Sequence, residues 1–127
     1  AMLGHRAYDL VSLLQDARRD VSAETEAEMI AYYLAQTGHD AETFSAAYAV
    51  LGAQRNLRIM GIFARLCLHF GKPHYVDFIP RVWGYVLRNL AHPALADLQQ
   101  GLLADLPEPD ETFLKRLKDQ CGTIPTL

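Results

Sequence analysis

Apolar residues recur at helical spacing over residues 40–71. Phe44, Tyr48, Leu51, Ile59, Ile62, Leu66 and Phe70 form one row, with Val50, Leu57, Met60, Ala64 and Leu68 beside it. After Leu57 the apolar positions cover most of the circumference, which predicts a buried helix rather than a surface one. Asp40 supplies an N-cap with Glu42 in the first turn, and Gly71 followed by Pro73 supplies the stop. Such a helix runs about 45 Å, roughly the diameter of a small domain, so the rest of the chain is expected to pack around it. Gly52 and Gly61 lie inside it, where a bend or a close helix crossing is expected. A polar girdle of Gln54, Arg55, Asn56 and Arg58 interrupts the pattern. Gln54 and Asn56 read as solvent-facing. Arg55 falls on the apolar row itself, where an unpaired charge is costly, so its head group must reach solvent, an acidic partner or a ligand.

The flanking segments also have helical periodicity. Residues 4–20 place Leu10, Leu13, Leu14, Ala17 and Val21 on one face, and Asp9, Ser12 and Asp16 on another. A polar stripe on a first helix is ordinarily its wet side, but two carboxylates flanking a hydroxyl also suit a sugar or an amine. Ser22 starts a second helix with Glu24 and Glu26 in its first turn, a core stripe of Met29, Ile30, Tyr33 and Leu34, and a stop at Gly38. No chemistry is evident on it. After Pro73, the spacing of Val76, Ile79, Val82, Val86 and Leu90 predicts a helix that restarts or kinks at Pro80. Trp83, the single Trp, reads as a core residue, the alternative being a wall of the substrate cleft. Residues 94–106 read as a short helix with Leu95, Leu98, Leu102 and Leu103 inward. Pro107 and Pro109 break it, Asp110 caps a last helix carrying Phe113, Leu114 and Leu117, and residues 121–127 read as a loose tail. The fold class is therefore all-α: one domain around a long central helix.

Composition narrows the function. Half of the 127 residues are hydrophobic and 21% are charged, the profile of a soluble globular protein. A net charge of −3 argues against nucleic acid as the main partner. Arg18-Arg19 and the Lys115, Arg116, Lys118 cluster read as solvated faces. Cys67 and Cys121 read as free thiols of a reducing compartment; with no membrane span and no signal-peptide pattern, a cytoplasmic protein is expected. His69, His74 and His92 do not form a metal-ligand spacing.

Three separated segments carry a family resemblance. They are Tyr8-Asp9-Leu10-Val11-Ser12-Leu13-Leu14 followed by Asp16; Gln54-Arg55-Asn56-Leu57-Arg58-Ile59-Met60-Gly61-Ile62-Phe63; and Pro80-Arg81-Val82-Trp83-Gly84-Tyr85. In this order they resemble the aminoglycoside phosphotransferase and choline kinase-like family. The resemblance is closest to its bacterial branch of cell-wall amino-sugar (N-acetylmuramate/N-acetylglucosamine) kinases. It covers residues 1–106, with 107–127 as a C-terminal extension. It implies the C-terminal lobe portion of a protein-kinase-like fold: the helical subdomain of a longer ATP-dependent kinase. The family's Gly-rich phosphate loop, ATP lysine, His-x-Asp catalytic loop and metal Asp have no counterpart here. This chain alone is therefore expected to have no kinase activity and no cofactor, with Mg and ATP belonging to the parent enzyme.

The same resemblance implies roles for individual residues. Asp9 is expected to anchor the catalytic loop by accepting backbone N–H bonds, a task for which a carboxylate makes short, strong bonds. Asp16 is the candidate for sugar hydroxyls, and Arg55 with Gln54 for an acetamido or carboxylate group, since amide and guanidinium groups supply directional donors. Removing a catalytic core from the first helix is expected to expose Leu3, Tyr8 and Val11 and to favour self-association. The rival expectation, from another class, is a free-standing interaction module that presents Arg55 and Trp83 to a protein partner.

Overall fold

The computed structural model describes residues 5–125. Among the described residues there are six α-helices and no strand: α1 (Arg6–Leu14), α2 (Ala23–Thr37), α3 (Ala41–Leu68), α4 (Ile79–Leu90), α5 (Ala96–Asp105) and α6 (Glu111–Asp119). Short 3-10 turns, Pro73–Phe78 and Pro93–Leu95, lead into α4 and α5. Three predicted starts and one unpredicted one, at His92, are capped by side chains. Ser22, Asp40, His92 and Asp110 each accept a hydrogen bond from a backbone N–H of the turn that follows. The helix restarts at Ile79 with Pro80 in its first turn, where no N–H is missed.

The long helix α3 is the spine, and α4 makes the most extensive contact with it. Three apolar clusters line it in sequence order. Near its start, Phe44 and Tyr48 pack with Ala7 and Val11 of α1 and with Ile30, Tyr33 and Leu34 of α2. In the middle, Ala49 and Ala53 meet Trp83, Val86 and Leu90 of α4 and Leu95. At its end, Cys67 packs with Val76 and Ile79, under Leu114 and Leu117 of α6. Burial pushes the Cys67 thiol up to about 11.

Several expectations need correcting. The C-terminal half of α3 is less buried than its apolar count implies: Ile62 is exposed and Ile59, Met60 and Phe63 are half-buried, while full burial concentrates between Phe44 and Asn56. The reason is that α6 and the Pro73–Phe78 turn cover only one side of that half. Leu13, Met29, Leu98 and Leu103, expected inward, are exposed. Val11 is buried against α3, whereas Tyr8 is exposed; Leu3 lies outside the described residues. Trp83 is buried on the α3–α4 core. The expected loose tail is pinned as far as Ile124. The Gly122 and Ile124 amides donate to the carbonyls of Cys67 and Leu68, and the Cys121 thiol donates to Cys67 O at 3.1 Å. No helix among the described residues is long and apolar enough to cross a membrane.

Candidate functional site

α1 stops six residues short of its expected end. Gln15 leaves the helix as its C-cap, with φ −122°, and its side chain turns into the protein. There it joins four helices. Its Nε2 donates to Glu26 Oε2 of α2 (2.8 Å) and to Asn89 Oδ1 of α4 (3.1 Å). Its Oε1 accepts from Asn56 Nδ2 of α3 and from Asn89 Nδ2, both at 2.8 Å. Glu26, also buried, accepts from Arg88 Nη1 at 2.9 Å and from the Tyr48 hydroxyl. Burial first, then the adjacent carboxylate, raise the Tyr48 pKa and keep it a donor. Every polar group of Gln15 is satisfied, the condition under which a buried network specifies one packing. Asn56 Oδ1 is buried without a partner.

Gly52 makes room for this hub. A Cβ there would stand 2.5 Å from Asn89 Nδ2. Of the two glycines expected to mark a crossing or a bend, Gly52 is therefore the close crossing with α4, while Gly61 has nothing within 4 Å.

The connection between α1 and α2 is held from below. Arg55 Nη1 donates to Gln15 O (3.2 Å), Arg81 Nη1 to Ala17 O (3.0 Å) and the Tyr85 hydroxyl to Arg19 O (2.9 Å). Asp16 lies in this connection rather than on a helical stripe with Asp9 and Ser12. Its Oδ1 accepts the Arg18 backbone N–H at 2.8 Å and its Oδ2 the Arg18 guanidinium at 3.0 Å. That ion pair holds the Asp16 carboxyl below its usual range.

Asp16 and Arg55, far apart in sequence, line one groove of about 240 Å³ with Arg18, Ile59, Ile62, Phe63, Tyr75 and Phe78. Its aromatic wall is ordered: ring centroids lie 5.5 Å apart for Phe63 and Tyr75 and 5.9 Å for Phe63 and Phe78. Among the described residues, Arg55 makes no hydrogen bond besides the one to Gln15 O. Gln54 is exposed and lies outside the lining of this groove. Asp9 is exposed on the outer side of α1, beside Arg6, Leu10, Leu13 and Tyr33. A larger cavity, about 370 Å³, lies at the start of α1 and α3 between His5, Arg6, His39, Asp40, Thr43 and Phe44. It holds none of the candidate residues, and its Arg6 and His39 are bonded to each other at 3.3 Å.

Asn56, expected to face solvent with Gln54, is instead buried. Residues two apart on a helix point to nearly opposite sides, so Gln54 and Asn56 could not share one face. The buried network of Gln15, Glu26, Tyr48, Arg88 and Asn89 was missed, although Tyr48 was placed on the apolar row and Glu26 in the first turn of its helix. Yet Gln15 continues the Ala7–Val11 row, Glu26 precedes Ile30 by one turn, and Asn89 follows Val86 by three positions. The test applied to Arg55, a polar residue on an apolar row, finds all three.

Among the described residues, no group of three or more His, Cys, Asp or Glu could hold a metal ion.

No protein-family model matches the chain. Individual relatives do. The chain is 52% identical over 100 residues to the N-acetylmuramate/N-acetylglucosamine kinase of Caulobacter vibrioides, covering 78% of this chain and 28% of that protein. It is 44% identical over 71 residues to the enzyme of the same name from Pseudomonas aeruginosa, covering 55% and 21%. It is 36% identical over 119 residues to that from Neisseria meningitidis, covering 87% and 35%. The chain thus spans about a third or less of the length of these relatives. Over most of its own length, this all-helical chain belongs to the family of the bacterial N-acetylmuramate/N-acetylglucosamine kinases.

Proposed function

We propose that this chain is the C-terminal, acceptor-side helical subdomain of a phosphotransferase that moves the γ-phosphate of ATP to an amino-sugar hydroxyl. The observation that carries the reading is the groove. Asp16 and Arg55 reach one concave site from a loop and a helix packed against each other. The relatives named as amino-sugar kinases supply the reaction class. In this reading ATP and Mg are held by the rest of the enzyme, where phosphoryl transfer needs positioned carboxylates and metal. Arg55 donates to the acceptor, and Asp16 accepts from a sugar hydroxyl with the oxygen capacity that Arg18 leaves. Gln54 contributes only if the ligand extends beyond the groove. Asp9, exposed on α1, meets the catalytic loop.

The test is a pair of substitutions in the full-length protein that carries this chain. Arg55→Leu removes a charged donor and leaves an apolar wall. With N-acetylmuramate as acceptor, kcat/KM should fall roughly ten- to a hundredfold, the worth of a charge-assisted hydrogen bond of about 1.5–3 kcal/mol. The KM for ATP should not move. Asp9→Asn should instead lower kcat with acceptor affinity intact. If Arg55→Leu changes acceptor and ATP constants equally and the protein melts many degrees lower, Arg55 is structural and the groove is not the acceptor site.

A further inference from the structure

Resting on the acceptor reading above, we infer that the Arg55 groove is a subsite for a carboxylate carried on a short apolar arm, the lactyl ether that distinguishes N-acetylmuramate from N-acetylglucosamine. The charge balance of the groove points there. Asp16 is the acidic side chain in its lining, and Arg18 already pairs with it through Oδ2 at 3.0 Å. Arg55 is therefore left as a cation without an acidic partner among the described residues, holding only a neutral carbonyl at 3.2 Å. A half-buried guanidinium with free N–H groups binds a carboxylate in a planar, two-pronged geometry.

The rest of the lining fits the other half of the group. Ile59 lies one turn and Ile62 two turns on from Arg55, so the cation and the aliphatic side chains share one helix face. A lactyl ether presents a methyl group and a carboxylate on the same carbon, the combination that such a face takes. The rings of Phe63, on the same helix, and of Tyr75 and Phe78, on the Pro73–Phe78 turn, complete the lining, where an apolar sugar face can stack. A neutral acceptor would fill the apolar part and leave Arg55 unanswered.

The experiment compares the two sugars on the full-length protein that carries this chain. Arg55→Gln should lower kcat/KM for N-acetylmuramate, through KM, roughly ten- to a hundredfold more than for N-acetylglucosamine. Arg55→Lys should recover part of the loss, since it keeps the charge but not the fork. If Arg55→Gln does not fold, Ile62→Glu serves instead. Ile62 is exposed, and a negative charge at the groove should penalise the acidic sugar alone. Equal losses for both sugars would overturn the carboxylate assignment while leaving the acceptor site in place. No loss for either would overturn the acceptor reading with it.

Discussion

Gly52→Ala and Gly61→Ala are the same substitution in the same helix, and they should act with opposite signs. Alanine favours a helix over glycine by about 0.5–1 kcal/mol, so each change starts with that gain. At Gly61 an added Cβ meets nothing within 4 Å, and the gain should survive. At Gly52 the Cβ would stand 2.5 Å from Asn89 Nδ2 and 2.8 Å from both Asn89 Cγ and Oδ1. The end of a flexible side chain could ordinarily swing aside. Asn89 cannot do so freely, because both of its amide atoms are bonded to Gln15, at 3.1 and 2.8 Å, inside the core. Moving it leaves buried groups unpaired at about 1–3 kcal/mol each, and leaving it overpacks the crossing at about 1–3 kcal/mol. The net expectation is a loss of about 1–4 kcal/mol for Gly52→Ala and a gain of up to about 1 kcal/mol for Gly61→Ala. Urea denaturation with an unchanged slope measures both. The double variant Gly52→Ala/Asn89→Ala should lose less than the sum of its parts, because the clash has gone. A Gly52→Ala protein as stable as the wild type, or additive costs in the double variant, would refute the account of the α3–α4 crossing.

Two further outcomes follow from the same hub and loop. Glu26→Ala removes the acceptor of Arg88, Tyr48 and Gln15 together, and should destabilise by about 3 kcal/mol or more in a urea titration, whereas the flanking and exposed Glu24→Ala and Glu28→Ala should sit within about 0.5 kcal/mol of wild type. The Asp16 carboxyl is depressed by its Arg18 pair, so that contact is fully present above the ordinary carboxylate range and is lost as pH falls through the lowered value. The Arg18 amide resonance should therefore titrate with a midpoint below 3.8, and a midpoint at or above it would mean that the pair does not form in solution.

The helices were legible because their period and caps are local. Asp40, Ser22 and Asp110 bond the N–H groups that their positions imply, and the apolar rows identify which elements meet α3. What was not legible depends on tertiary cover. Ile62 and Leu98 look as apolar as Val86, yet only Val86 faces another element across its whole side chain. The end of α1 was hidden for a different reason. Periodicity continues through Leu14 to Ala17, but Gln15 gains four hydrogen bonds by leaving the helix, and no local propensity encodes that. The site shows the same division. That Arg55 needed an answer was clear from its place on the row. That part of its answer is the carbonyl of Gln15 required the loop to be in place.

The hub and the groove are therefore one construction seen from two sides. Gln15 uses its side chain to gather α2, α3 and α4, and its carbonyl to hold the guanidinium that lines the groove. Asp16, the next residue, can reach the same groove only because the helix has ended one position earlier. Had α1 continued to residue 20, as its apolar pattern suggests, Asp16 would point along the helical stripe of Asp9 and Ser12, away from α3. A buried amide thus does what a longer hydrophobic core could not. Apolar packing alone fixes how far two helices sit apart, but it leaves sliding and rotation weakly determined. Four directional bonds on one side chain remove that freedom at the point where the groove is set. This is the physical reason for the polar residues on otherwise apolar rows. They give up burial energy at the centre of the fold to fix the position of two charged side chains at its surface.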